Sequence, residues 1–168
     1  MRHLVIEADG GSRGNPGNAG SGALVFDRNT GEVLVEIYEF IGVATNNVAE
    51  YRALLAAVKA ALQIDPAAQL EVRMDSKLVV EQMSGGWKIK HPDMRSLAIE
   101  IHGVLSGRPV NFVWIPREQN SRADALANRA MDEQNSNWIW ASDALEPVTD
   151  VPAREVSSQV EFRSEERR

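Results

Sequence analysis

The chain predicts an α/β domain on a five-stranded mixed sheet, three antiparallel strands followed by parallel ones, flanked by helices. Three observations carry this. Residues 3–41 hold three short apolar, β-branched runs broken by turn signals. Residues 46–134 then alternate helical periodicity with two further short apolar runs. A hydrophobic content of 43% and a charged content of 25% are those of a soluble globular domain, and 168 residues hold one such domain and a tail.

"HLVIEAD" (3–9) reads as a buried strand stopped by Asp-Gly-Gly, and "GSGALVFD" (20–27) as a second. "EVLVEIYEFI" (32–41) alternates Val33, Val35 and Ile37 with Glu32 and Glu36, so one face of it is wet. "RNTG" between the last two strands is a hairpin turn. "NNVAEYRALLAAVKAALQI" (46–64) is the clearest helix: Leu54, Leu55, Val58, Ala61 and Leu62 recur at helical spacing, and Pro66 stops it. A strand at 69–75, a short helix at 76–85, an amphipathic helix at 93–107, a strand at 110–115 and a helix at 121–134 complete the order β-β-β-α-β-α-α-β-α. The body therefore spans residues 1–135. Residues 136–168 show no sustained period and read as an acidic linker or disordered tail, with Trp138 and Trp140 available to pack back on the body.

The net charge of −6 is uneven. Residues 1–131 carry 14 Lys+Arg against 15 Asp+Glu, and residues 132–168 carry 4 against 9. The body is almost neutral, so a local basic face for nucleic acid is not excluded. Without cysteine there is no disulfide framework and no thiolate metal site, which fits a reducing cytoplasm. No apolar run reaches the ~20 residues of a membrane span, and the N-terminus lacks a signal-peptide core.

"EADGGSRGNPGNAGSGALVF" (7–26) invites a phosphate-cradle reading and fails it. Gly11, Gly14 and Gly17 are spaced by three, Pro16 interrupts them and a strand follows, so neither a dinucleotide fingerprint nor a P-loop fits. A turn between strands is the better reading, and attention passes to Asp9. Asp9 ends a strand, Glu50 opens the long helix, Asp75 ends a strand and Asp124 opens the last helix. Each has a structural alternative. Asp9 suits a turn, Asn47-x-x-Glu50 and Ser121-x-x-Asp124 suit capping boxes, and Asp75-Ser76 suits a helix cap. Together they say more, because strand ends and helix starts converge at one edge of an open α/β sheet. Clustered carboxylates repel one another unless divalent cations sit among them. Mg²⁺ takes oxygen ligands, and two such ions assist phosphodiester hydrolysis. Paired-His and Cys spacings for zinc are absent, as is an acyl-hydrolase Gly-x-Ser-x-Gly.

"ADGGSRGNPGNAGSGA", "ATNNVAEYRALLAAV", "VRMDSKLVVEQMSG" and "WIPREQNSRADALAN", four motifs in order over residues 1–134, together resemble type 1 ribonuclease H. The likeness is nearest to the N-terminal domain of actinobacterial proteins that fuse ribonuclease H to an acid-phosphatase-like domain. The resemblance implies the ribonuclease H-like fold. It also implies a metal-dependent endonuclease that cuts the RNA strand of RNA–DNA hybrids and leaves 3′-hydroxyl and 5′-phosphate ends. By it, Asp9, Glu50, Asp75 and Asp124 are the catalytic, metal-binding carboxylates, with two Mg²⁺ per site and Mn²⁺ as the alternative. Asn15, Asn46 and Asn47 match backbone-contacting positions, and Thr45 matches one that holds a DNA phosphate. Ser12, Arg13 and Lys77 lie beside the acids in sequence and suit backbone contact, with a solvated surface charge as the alternative for Arg13 and Lys77. Trp87 with Lys88 and Lys90 offers a basic-aromatic contact, or a packed ring with solvated lysines. A monomer, a hybrid partner, no membrane and a phosphatase-like domain C-terminal to this chain complete the expectation.

Two departures stand out. The loop "PREQN" (116–120) is short and lacks the histidine many members carry there. Arg117 and Glu118 are the candidates for its part in product release, with plain loop charge as the alternative; arginine does not titrate, so Arg117 would bind phosphate. The long lysine-rich protrusion of some members is replaced by "GGWKIKHPD" (85–93), which implies weaker or more salt-sensitive binding.

Overall fold

The computed structural model describes residues 1–147. Strands β1 (His3–Arg13), β2 (Gly17–Asp27) and β3 (Val33–Ala44) form an antiparallel meander. Helix α1 (Asn46–Ile64) crosses back to β4 (Gln69–Met74), which pairs parallel to β1. Helices α2 (Lys77–Met83) and α3 (Pro92–Leu105) lead to β5 (Val110–Trp114), parallel to β4. A single 3-10 turn (Arg117–Gln119) precedes α4 (Ser121–Glu133). β6 (Asn137–Trp140) then pairs antiparallel with β3, so the sheet runs β5-β4-β1-β2-β3-β6.

The sheet has six strands where the sequence predicts five. Residues 137–140 are too short to show a period, and their partner on β3 lies about a hundred residues earlier. Trp138 and Trp140 pack against the main core, and the Trp138 indole N–H donates to Glu39 at 2.7 Å. Of the predicted tail, residues 148–168 lie outside the described residues.

Alanines 53, 56, 57, 60 and 61 are buried along α1, and their small side chains let it lie close to the sheet. α1 and α3 cover one face of the sheet and α4 the other, above Leu24 and Tyr38. Two glycines set the helix heights. A methyl on Gly10 would lie 2.3–2.5 Å from the backbone of Ala49 and Glu50, and one on Gly22 would lie 2.3 Å from the backbone of Ala123 and Ala127. Backbone cannot yield to such contacts, so α1 and α4 reach these heights only over glycine. No helix among the described residues is long and apolar enough to cross a membrane.

Candidate active site

The predicted turn at residues 10–17 is shorter in the structure. β1 continues through Gly10 and Gly11 to Arg13, paired to β2, so only residues 14–16 turn. Asp9 is therefore inside a strand and 8% exposed, not open at a strand end. The reason is that glycines on both strands pair as extended backbone as readily as they turn.

The β1–β4 ladder explains the meeting of two acids. Its last pair is Ala8↔Met74, and Asp9 and Asp75 are the next residue on each strand. Past that pair the strands part, opening a crevice at the carboxyl ends of parallel strands. Glu50 enters from α1, where its Oε1 accepts the Gly10 N–H at 2.9 Å. One oxygen each of Asp9, Glu50 and Asp75 lie within 4.8 Å of one another. Asp124 falls outside this trio and meets it on the Asp9 side, close enough for its charge to raise the Asp9 carboxyl. It arrives there because Gly22, the cross-strand partner of Asp9, lies directly beneath Ala123.

Three of the alternative readings are now closed. Thr45 caps α1 by accepting from Val48 N–H, so Glu50 is not a capping-box residue. Ser76 caps α2 by accepting from Val79 N–H, which leaves the Asp75 side chain free of that task. Asn120 holds the cap position of α4 without a side-chain cap bond, so Ser121 and Asp124 form no capping box. Among the described residues, no ion pair involves any of the four acids.

Crowded carboxylates without a counter-charge resist ionisation. Desolvation, then the charges of Asp75 and Asp124, raise the Asp9 carboxyl from 3.8 to about 7. Glu50 is raised well above the usual carboxylate range by burial first and by Asp9 and Asp75 next, against the opposing Gly10 hydrogen bond. An all-carboxylate donor set of this kind fits hard, oxygen-seeking divalent cations.

Sequence reading missed Asn120. It is fully buried, and its Nδ2 donates to the Ala8 carbonyl at 2.9 Å and to Asp75 Oδ1 at 3.1 Å, while its Oδ1 has no partner. It thus spans the crevice between β1 and β4 and aims one acid. In sequence it is one polar residue of a loop, and no spacing distinguishes it. Trp114 was also missed: its indole N–H donates to the Asp75 carbonyl at 3.2 Å, although half its surface is exposed.

The predicted substrate residues gather in part. Asn15 Oδ1 accepts from Asn46 N–H at 3.0 Å, and the single proton of Ser12 Oγ lies within reach of the Ala44 carbonyl, at 2.8 Å, and of the Gly14 carbonyl. The β1–β2 turn is thereby tied to the start of α1, bringing Ser12, Asn15, Thr45, Asn46 and Asn47 together. Arg13 lies apart from the trio, paired with Asp132 at 2.6 Å and donating to Asn128 at 3.3 Å. Lys77 is exposed at the first residue of α2, two residues from Asp75. Arg117 and Glu118 are exposed on the 3-10 turn.

Comparison with known proteins meets this geometry from outside. The model of a family described as reverse transcriptase-like matches residues 7–130. The bifunctional protein Rv2228c of Mycobacterium tuberculosis is 55% identical over 130 residues, 77% of this chain but 35% of the relative. The chain thus spans about a third of that relative's length. The N-terminal RNase H domain of the same protein, solved as a fusion with maltose-binding protein, superposes with a TM-score of 0.76 at 53% identity, covering 79% of this chain and 96% of that one. LC11-RNase H1, isolated from compost by a metagenomic approach, has been solved in complex with an RNA/DNA hybrid. That structure superposes with a TM-score of 0.74 at 42% identity, covering 78% of this chain and 98% of that one. Matched across the body by the family model and to nearly the full length of two solved RNase H domains, the chain belongs to the type 1 ribonuclease H family.

Proposed function

We propose that this chain is a metal-dependent endoribonuclease that hydrolyses the RNA strand of RNA–DNA hybrids. One observation carries the reading: carboxylates from three separate elements meet within 4.8 Å, none of them occupied in capping or ion pairing. Asp9, Glu50, Asp75 and Asp124 would hold two Mg²⁺, or Mn²⁺. Such ions, when bound, offset the carboxylates' repulsion, activate water and stabilise the leaving oxygen. In this reading Asp9 and Asp75 would serve both ions, Glu50 would ligate one of them on the side of a 2′-hydroxyl, and Asp124 would complete the set for the other. Water adds across the bond between phosphorus and the 3′-oxygen, leaving 3′-hydroxyl and 5′-phosphate ends.

The chain's own groups choose the substrate. Asn15, Asn46 and Asn47 present short amides suited to the 2′-hydroxyls and base edges of a wide, shallow minor groove. Thr45, Ser12, Arg13 and Lys77 are assigned to the phosphate backbone, which positions the duplex without reading sequence. Arg117 and Glu118 are assigned to product release. The hybrid bound to LC11-RNase H1 supports this substrate class. The protein is read as a cytoplasmic monomer, with a phosphatase-like domain following it in the full-length protein.

The deciding experiment compares cleavage of labelled hybrid, RNA duplex and DNA duplex in Mg²⁺, Mn²⁺ and chelator. Cleavage restricted to the RNA of the hybrid, and abolished by chelator, is expected. Equal cutting of DNA duplex, or binding without cutting at any metal concentration, defeats the reading.

A further inference from the structure

A buried polar chain links the helix of Glu50 to the loop of Trp87. Tyr51, the residue after Glu50, is fully buried and donates its hydroxyl to Gln82 Oε1 at 2.7 Å. Gln82, buried on α2, donates its Nε2 to the Lys88 carbonyl at 3.1 Å. α2 starts at the Ser76 cap, immediately after Asp75. The loop at residues 84–91 is thus registered against the two elements that bear Glu50 and Asp75.

Packing does not call for this pair. Tyr51 belongs to the main hydrophobic core and Gln82 is buried beside it on α2, where apolar residues of the same shape would fill the space without burying polar atoms. Apolar contact is non-directional, whereas an amide donor fixes one carbonyl in place. Other ties complete the loop: Gly86 and Trp87 N–H donate to the Glu81 carbonyl, the Arg95 guanidinium donates to the Ile89 carbonyl, and Ile89 packs on the core. Trp87, Lys88 and Lys90 are left facing solvent, Trp87 with 46% of its surface exposed.

We infer that Tyr51 and Gln82 are positioning residues for substrate. They hold the Trp87–Lys90 loop where its ring and ammonium groups meet the backbone of a hybrid whose scissile phosphate lies at the carboxylates. Neither touches substrate or the reacting atoms. The inference rests on the hybrid-cleaving reading above.

The test is initial-rate kinetics of the full chain on labelled hybrid with Mg²⁺, for wild type, Tyr51→Phe, Gln82→Met and the double variant. Val35→Ala, a core truncation on β3, serves as the destabilised control. The double variant replaces both members of the pair by apolar groups of similar volume, and Tyr51→Phe alone is the mildest change should the others misfold. A rise in KM of about three- to tenfold with kcat within about twofold is expected for the Gln82 variants, the size of one net hydrogen bond. Tyr51→Phe shifts KM the same way by less, and Val35→Ala leaves KM unchanged. An unchanged KM in the folded variants overturns the inference, as does a kcat that falls in step with melting temperature. A wild-type chain that cuts no hybrid defeats the functional reading itself, and the two failures are read from different lanes.

Discussion

Asp9 occupies a position where a carboxylate is costly to ionise, and its behaviour follows. With its carboxyl raised from 3.8 to about 7, the native state binds that proton more tightly than the unfolded chain does. The stabilisation is complete below the unfolded value and is lost as pH rises through about 7. The metal-free protein is therefore expected to melt lower at about pH 8 than at about pH 5, and Asp9→Asn should flatten that slope. Mg²⁺ should restore wild type at the higher pH and help Asp9→Asn much less; scanning calorimetry in chelator and in Mg²⁺ measures both. The same variant is expected to lose cleavage while keeping the fold and much of its hybrid binding, and normal turnover by it would sink the catalytic assignment. Asn120 donates to Asp75 Oδ1, and under the proposed function it acts through that acid. Asn120→Ala should lower activity or Mg²⁺ affinity about 10–100-fold, the usual cost of losing a partner that aims a metal ligand. Titrating Mg²⁺ against both rate and melting temperature tests it, and wild-type values in both would remove Asn120 from the site.

At the scale of elements, the site depends on how closely two helices approach the sheet. Gly10 and Gly22 lie under backbone, and neither α1 nor α4 can retreat without moving Glu50 or Asp124. Gly10→Ala and Gly22→Ala are each expected to destabilise by about 1–3 kcal/mol or more through overpacking, with activity falling further than stability. Gly103 offers the opposite sign. It lies within α3 with nothing near its absent side chain, so Gly103→Ala should stabilise by about 0.5–1 kcal/mol. Urea denaturation of the three variants checks both directions. A neutral Gly10→Ala would mean that α1 can rise from β1 freely.

For the whole molecule, β6 closes one edge of the sheet and contributes none of the four acids. It covers part of the outer edge of β3 and brings Trp138 and Trp140 onto the core. A chain ended at residue 135 bares that edge and should melt several degrees lower and aggregate more readily. It should still cut hybrid at temperatures where it stays folded. Melting curves and light scattering of the two lengths decide this, and identical curves would make β6 incidental.

Much of this was legible along the chain. The helix of residues 46–64 announces itself by period and alanine content, and the three leading strands by their turns. The four acids stood out by recurring at element ends and by lying in the four motifs that resemble ribonuclease H. Linear order could not separate cap from ligand, however. Glu50 and Asp75 are identical in sequence terms to capping residues, and only the bonds of Thr45 and Ser76 assign the capping elsewhere. The glycines at residues 10 and 22 read as turn or strand-weakening residues until α1 and α4 are seen lying on them. Asn120 and β6 were silent because each acquires meaning from a partner far away in the chain: Asp75 and Ala8 for one, β3 for the other. Periodicity and local turn chemistry, which act over a few residues, determined the elements and their order. Register and the close approach of backbones, which join residues tens of positions apart, decided which carboxylates meet.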